Sequence, residues 1–320
     1  MAKQGFKKLF IFLDTDKHAS PFDIITTLDI FPDSRILKYE NVTPEDAEKI
    51  VHDSMFPRGP DGARHTKIFV NGHDPELVDD ILEQVKKSMV PPFELAVIVD
   101  PRGAYTTASA AVAKTLGVSI AKGFGGLENK KITVLAGTGP VGQTTARLYA
   151  SEKAEVILTS RSLQKAVSVT TKINGDFEGE RVRGVEAQTS EDIGKAIEHA
   201  EIVLSAGAAG TELLTKQTLK ECGRKCRIVV DINAIPPFGV QGLDSNDDGK
   251  EILPSIFGVG ALTIGKLKNK TETTLIRMAA EEPRGIFSYK EAYEIAKKIL
   301  SEKPKEKQAI VSEPSKYWLP

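Results

Sequence analysis

The chain reads as an α/β protein of two parts: a parallel sheet built from repeated strand–helix pairs, and a separate N-terminal α/β domain completed by C-terminal helices. Three observations predict this. Short strand-like runs alternate with helical runs through the first third, a G-x-G-x-x-G turn stands between a strand and a helix, and further strand–helix pairs follow that turn. At 320 residues, with 40% hydrophobic and 27% charged side chains, the chain can bury two cores and has ordinary globular composition.

Taken in order, residues 9–13 read as a strand, 21–28 as a helix, 34–39 as a strand and 44–54 as a helix. The pattern continues with a strand at 67–70, an amphipathic helix at 75–89 carrying Leu77, Ile81, Leu82 and Val85 on one face, and a strand at 96–99. An alanine-rich helix at 106–121 and a glycine-containing linker at 123–131 lead into the second part. There, strands are expected at 132–136, 154–159, 182–187, 202–205 and 227–232, with helices at 143–151, 163–173 and 190–199. Repeated pairs of this kind imply right-handed crossovers and a parallel sheet. Helices at 270–280 and 289–300 end the regular pattern, and one of them is expected to return to the first domain. The expected division is therefore 1–122, 123–268, 269–300 and an extended tail over 301–320, either disordered or a strap on a neighbour.

The glycine turn comprises Gly137, Thr138, Gly139, Pro140, Val141 and Gly142. In a strand–turn–helix context the first glycine permits a tight reversal, the second lets backbone approach a pyrophosphate, and the third allows close helix–strand packing. The helix N-terminus then faces the phosphates, which makes this a Rossmann-like dinucleotide site. An Asp or Glu about 20 residues further on would bond the ribose 2′-hydroxyl of NAD. This chain has Ser160 and Arg161 there, with Lys165 nearby. A hydroxyl, a guanidinium and an ammonium suit a 2′-phosphate, so NADP is favoured, with NAD possible. Small or polar residues at two later strand ends, Ala206, Gly207 and Asn233, are expected beside the nicotinamide.

Net charge is −1 with basic residues scattered, which gives no electrostatic case for nucleic acid or an acidic membrane. No apolar run approaches the roughly 18 residues of a membrane span, so a cytoplasmic placement is expected. Cys222 and Cys226 lack a second pair or an adjacent histidine and read as structural thiols, and no metal is expected. Two polar clusters fall at strand ends in the first domain: Asp14 with Asp16, and Asp100 with Thr106 and Thr107. Asp and Thr at such places equally turn the chain and cap helices. A third feature is the glycine-rich segment 257–268, whose Lys266 is either a site residue or a surface lysine at the start of the last helix. From the residues alone this is a two-domain NADP-linked protein. A shikimate-dehydrogenase-like reductase and a non-catalytic NADP sensor are the alternatives.

The segments Phe12-Leu13-Asp14-Thr15-Asp16, Phe22-Asp23, Asn41-Val42-Thr43-Pro44, Thr106-Thr107-Ala108, the glycine turn, Asp231-Ile232-Asn233-Ala234-Ile235-Pro236-Pro237 and Phe257-Gly258 through Lys266-Leu267-Lys268 resemble the NADP-dependent methylene-tetrahydromethanopterin dehydrogenases of methylotrophic bacteria. The resemblance implies hydride transfer from the methylene carbon of a reduced pterin to NADP, leaving a methenyl cation; methylene-tetrahydrofolate is the alternative carrier. By position Lys266 matches the family's active-site lysine, orienting the pterin. Asp14, Asp16 and Asp100 become the carboxylate candidates, and Thr106 and Thr107 substrate contacts. Arg161 and Lys165 match basic residues of the 2′-phosphate site, whereas Ser162 departs from a lysine of close relatives. The tail beyond residue 301 exceeds the family's usual end, and a homo-oligomer is expected on general grounds.

Overall fold

The structure is a computed structural model that describes residues 5–302. Strands β1 (Leu9–Asp14), β2 (Arg35–Tyr39), β3 (Thr66–Asn71), β4 (Ala96–Val99) and, from far along the chain, β12 (Gly285–Phe287) form a five-stranded sheet in the order β12-β4-β3-β1-β2. Every pairing in it is parallel. Helices α1 (Pro21–Ile30), α2 (Pro44–Met55), α3 (Gly59–Ala63), α4 (Pro75–Ser88) and α5 (Ala104–Ala121) connect these strands or leave them. Three of the starts share one local device. Ser20, Thr43 and Asp74 each accept a hydrogen bond from a backbone N–H of the first turn, and a proline follows at the first helical position, where its missing N–H costs nothing.

The second sheet holds β5 (Lys131–Leu135), β6 (Glu155–Ser160), β7 (Val182–Glu186), β8 (Ile202–Ser205), β9 (Ile228–Asp231), β10 (Asp248–Leu253) and β11 (Ile256–Val259), in the order β10-β11-β9-β8-β5-β6-β7. Only the β10–β11 pair is antiparallel. Helices α6 (Pro140–Ser151), α7 (Leu163–Asn174), α8 (Ser190–Ile197) and α9 (Lys216–Cys222) flank it. The mixed α/β class with Rossmann-type order is as the sequence predicts.

Burial follows from strand alternation. In β1, Ile11 and Leu13 face α2 and α4, while Phe10 and Phe12 face the long helix α10 (Ala261–Glu281) and α11 (Tyr289–Ser301). Helix α5 is packed on nearly all sides, with Ala108, Ala110, Ala111, Val112 and Ala113 buried against the second sheet's core together with Tyr293 and Ala296 of α11. Its small side chains let neighbouring helices come close, which explains why it shows no amphipathic period.

Some elements differ from expectation. Helix α10 starts at Ala261, well before the expected residue 270, so the boundary placed at 268 falls inside one continuous helix. Strand β11 lies within the segment read as glycine-rich loop. A Cβ at Gly258 would sit 2.2 Å from the Leu243 side chain, so glycine there serves close packing. Strand β12 has three residues and pairs with β4 across a long sequence separation, and its short pattern gave no local signal. The tail expected over 301–320 lies, from residue 303, outside the described residues.

Candidate active site

Both sheets present their polar residues at the carboxyl edge, where strands of one direction end together. In the second sheet, β5 leads into the glycine turn through Ala136, which adopts a left-handed φ of 50° while its N–H donates to Thr159 Oγ1. Side-chain space decides the glycines. A Cβ at Gly142 would lie 2.6 Å from both Cα and O of Gly137, one at Gly137 would lie 2.7 Å from the Leu158 side chain, and one at Gly139 meets nothing within 4 Å. The loop is thus tightly closed on its protein side and open at Gly139, at the start of α6, so it fits a dinucleotide phosphate. Beyond β6, Ser160 is buried and its Oγ accepts from the Ser162 N–H, while the Ser162 hydroxyl caps α7. Arg161 and Lys165 are exposed, and neither side chain makes a hydrogen bond among the described residues. Two exposed basic side chains therefore stand just beyond the end of β6, where the sequence leads one to expect a 2′-phosphate.

Of the expected nicotinamide neighbours, Ala206 and Gly207 follow β8, and glycine at 207 leaves room for Leu213, whose Cδ1 would lie 2.8 Å from an added Cβ. Asn233 is committed to its own loop. Its Nδ2 donates to Pro237 O and its Oδ1 accepts from Ile235 N–H, so the side chain braces the segment after β9 instead of reaching outward.

At the carboxyl edge of the first sheet lies a buried polar cluster. Asn71, ending β3, donates from Nδ2 to Asp23 of α1 at 2.7 Å, and its Oδ1 accepts the N–H groups of Gly72 and Arg102, each at 2.8 Å. Asp100, after β4, is fully buried and accepts from Tyr105 N–H, Thr106 N–H and the Thr106 hydroxyl. A tight turn, with Arg102 at φ 48° and Gly103 at φ 71°, brings Asp100 back over the start of α5. From α10 come Lys268 and Glu272, one helical turn apart and joined by an ion pair in the interior. Lys268 Nζ lies 4.1 Å from the centre of the Phe22 ring.

Several expected site residues fall differently. Lys266 is exposed; the lysine inside the cluster is Lys268, because two residues of helix turn a side chain by about 200°. Thr106 is buried and bonded to Asp100, and Thr107 donates to Gly103 O at 2.6 Å, so both serve the start of α5. Asp14 is also occupied: its oxygens accept from the N–H groups of Asp16 and Ser20, with Arg102 at 3.3 Å. Asp16 binds Arg102 and, at 2.6 Å, His73. Burial works upward on both carboxyls. It prevails at Asp14, while hydrogen bonds from Arg102 and His73 hold Asp16 below its usual range. Asn71, Arg102, Lys268 and Glu272 were assigned no role from sequence; the i,i+4 spacing of Lys268 and Glu272 on an otherwise buried helix face is the signal that could have marked that pair.

Asp100 is pushed up to about 6, first by burial and then by the neighbouring Asp23 carboxylate. Because the folded value lies above the ordinary 3.8 of an aspartate, the group's contribution is intact below 3.8 and is lost as pH rises through about 6. Asp100→Asn keeps an acceptor for both N–H groups, so it should gain stability on the order of 2 kcal/mol above pH 6 and little at pH 4. Thermal unfolding from pH 4 to 8 measures this; a gap independent of pH would contradict it.

The two edges are joined by one helix. Residue Ala261 follows β11 at the nucleotide sheet, and Lys268 lies about 10 Å of helix rise further along α10. A glycine loop at the edge of one sheet and a separate buried polar cluster at the edge of the other, with α10 running from the nucleotide sheet to the first sheet, make an arrangement that suits an NAD(P)-dependent dehydrogenase. The family model for the N-terminal part of methylene-tetrahydromethanopterin dehydrogenase matches residues 21–102, and the shikimate/quinate 5-dehydrogenase model matches residues 119–239. The chain is 38% identical over 296 residues to the bifunctional protein MdtA of Methylorubrum extorquens, covering 92% of this chain and 99% of that one. It is 33% identical over 292 residues to the NAD(P)-dependent methylenetetrahydromethanopterin dehydrogenase of the same organism, covering 88% and 95%. The chain belongs to the methylene-tetrahydromethanopterin dehydrogenase family.

Proposed function

We propose that the protein oxidises methylene-tetrahydromethanopterin to the methenyl form with NADP⁺, using the first-sheet cluster as its pterin site. The observation that carries this reading is the buried cluster of Asp23, Asp100, Glu272 and Lys268 at the carboxyl edge of the first sheet, presented in part by α10, which leaves the nucleotide sheet after β11. When bound, NADP⁺ supplies the hydride acceptor. Gly137 to Gly142 would hold its pyrophosphate, and Arg161 with Lys165 its 2′-phosphate.

The chain's own work is orientation and charge control. Loss of hydride leaves positive charge on the pterin, and three buried carboxyl groups around one ammonium make the site electrically receptive to a cation. Lys268 donates hydrogen bonds to pterin ring atoms and fixes the methylene carbon; Phe22 forms an apolar wall beside it. Arg102 acts indirectly, holding Asp14 and Asp16 so that the loop after β1 keeps its shape. Among the described residues no helix is long and apolar enough to cross a membrane. The enzyme works in the cytoplasm as a closed homo-oligomer, without nucleic acid, a reading supported by the near-neutral net charge and the frequency of symmetric assemblies.

The test mixes protein and NADP⁺ with methylene-tetrahydromethanopterin or methylene-tetrahydrofolate and follows NADPH and methenyl absorbance together. Equal appearance of both with the methanopterin supports the proposal. Turnover with the folate alone would reassign the carrier, and none with either would refute it. For the cofactor, the double variant Arg161→Ala/Lys165→Ala should lose about 10- to 100-fold in kcat/KM for NADP⁺, the size of one or two charge-assisted hydrogen bonds, with NAD⁺ little changed. An equal loss with both cofactors would remove these residues from the 2′-phosphate site.

A further inference from the structure

The ion pair inside α10 is more than a packing feature. Glu272 is 1% exposed and Lys268 9%, and the two lie on one face of the helix. A pair retained only for stability should have its remaining polar atoms satisfied, since replacing a buried pair by apolar side chains is often neutral or favourable. Here the second carboxylate oxygen of Glu272 has no hydrogen-bond partner among the described residues, and the same holds for Oδ1 of Asp23 and the Thr271 hydroxyl. Lys268 is meanwhile held from three sides. Glu272 binds its ammonium, the Phe22 ring lies against it, and Gly103 leaves room for its stem, since a Cβ there would come within 3.2 Å of Cε.

We propose that Glu272 is a positioning residue for the dehydrogenase reaction: it keeps the Lys268 ammonium aimed into the pterin site, and offsets its charge while the cationic product forms. The proposal rests on the assignment of this cluster as the pterin site. An isolated ammonium beside a developing carbocation would oppose hydride loss, whereas a close ammonium–carboxylate pair is a dipole that still donates hydrogen bonds. The charged groups facing the pair are Asp100 from the end of β4 and Asp23 from α1. Burial pushes the Glu272 carboxyl up, and the Lys268 ammonium opposes it. Removing the carboxylate while keeping its shape takes away the charge-assisted bond that holds the ammonium, so the Lys268 side chain is free to leave its aimed position.

The variant is Glu272→Gln, made in the full chain. Without any pterin, trace acetylation of Lys268 by acetic anhydride at pH 8, read by mass spectrometry of its peptide, should be about tenfold faster in the variant, the effect of releasing the amine from one charge-assisted hydrogen bond. In steady state, kcat should fall by about tenfold while KM for the pterin changes less than about threefold, with NADPH affinity unchanged as the check on folding. An unchanged acetylation rate overturns the proposal, as does an unchanged kcat. Glu272→Asp should restore part of kcat. If the wild-type protein turns over no pterin at all, the pterin reading fails, while the acetylation experiment still decides whether Glu272 governs Lys268.

Discussion

Lys268→Met is expected to lower turnover with the pterin by about 100-fold or more, the usual effect of removing one preorganised electrostatic donor. NADPH affinity should stay near the wild-type value, because the glycine loop and Lys268 share no contact and distant sites behave independently. The substitution has a structural side effect that must be separated. It leaves Glu272 buried without its partner, and breaking such a pair costs about 3–5 kcal/mol unless the carboxyl takes up a proton. Lys268→Met/Glu272→Gln removes the uncompensated charge, so it should recover much of the unfolding temperature while activity stays low. Recovery of both would mean that Lys268 acts through stability alone. Lys266→Met, on the exposed side of the same helix, should have little effect on either.

Gly142→Ala should weaken cofactor binding and destabilise the fold. The added methyl would lie 2.6 Å from the backbone of Gly137, and backbone on both sides of a closed turn cannot give way as the tip of a side chain can. Overpacking of this kind costs about 1–3 kcal/mol, which appears as about 5- to 100-fold weaker NADPH binding together with a lower unfolding temperature. Gly139→Ala is the informative contrast. Its methyl meets no protein atom within 4 Å, so the protein should unfold at the wild-type temperature while binding still weakens, because the methyl occupies space needed by phosphate. Equal affinity for NADPH in Gly139→Ala and wild type would remove the loop from the cofactor site.

Much of the architecture was legible because its signals are local. The alternation of Leu9–Asp14 with Pro21–Ile30, and the capping residues Ser20, Thr43 and Asp74 ahead of prolines, need no knowledge of distant chain. The glycine turn was equally plain, since its spacing and its neighbours belong to one strand–helix unit. Illegible elements were those made by distant partners. Strand β12 exists because Gly285–Phe287 meets β4, and β11 because Phe257–Val259 meets β9 and the antiparallel β10.

The site divides along the same line. Sequence by itself determined the α/β class and the glycine turn between β5 and α6, and it singled out Arg161 and Lys165 as the proposed 2′-phosphate pair, all of which depend on residue type at short spacing. Only the tertiary structure decided which polar residues share a site. It gave Thr106 and Thr107 to the start of α5, Asp14 and Asp16 to Arg102, and the interior place to Lys268 in preference to Lys266. The reason is physical: a buried polar group must find partners, and those partners come from strand ends and helices that sequence distance does not bring together. Where α10 crosses the first sheet, the rotation of one helix by two residues separates a solvated lysine from one enclosed by carboxylates.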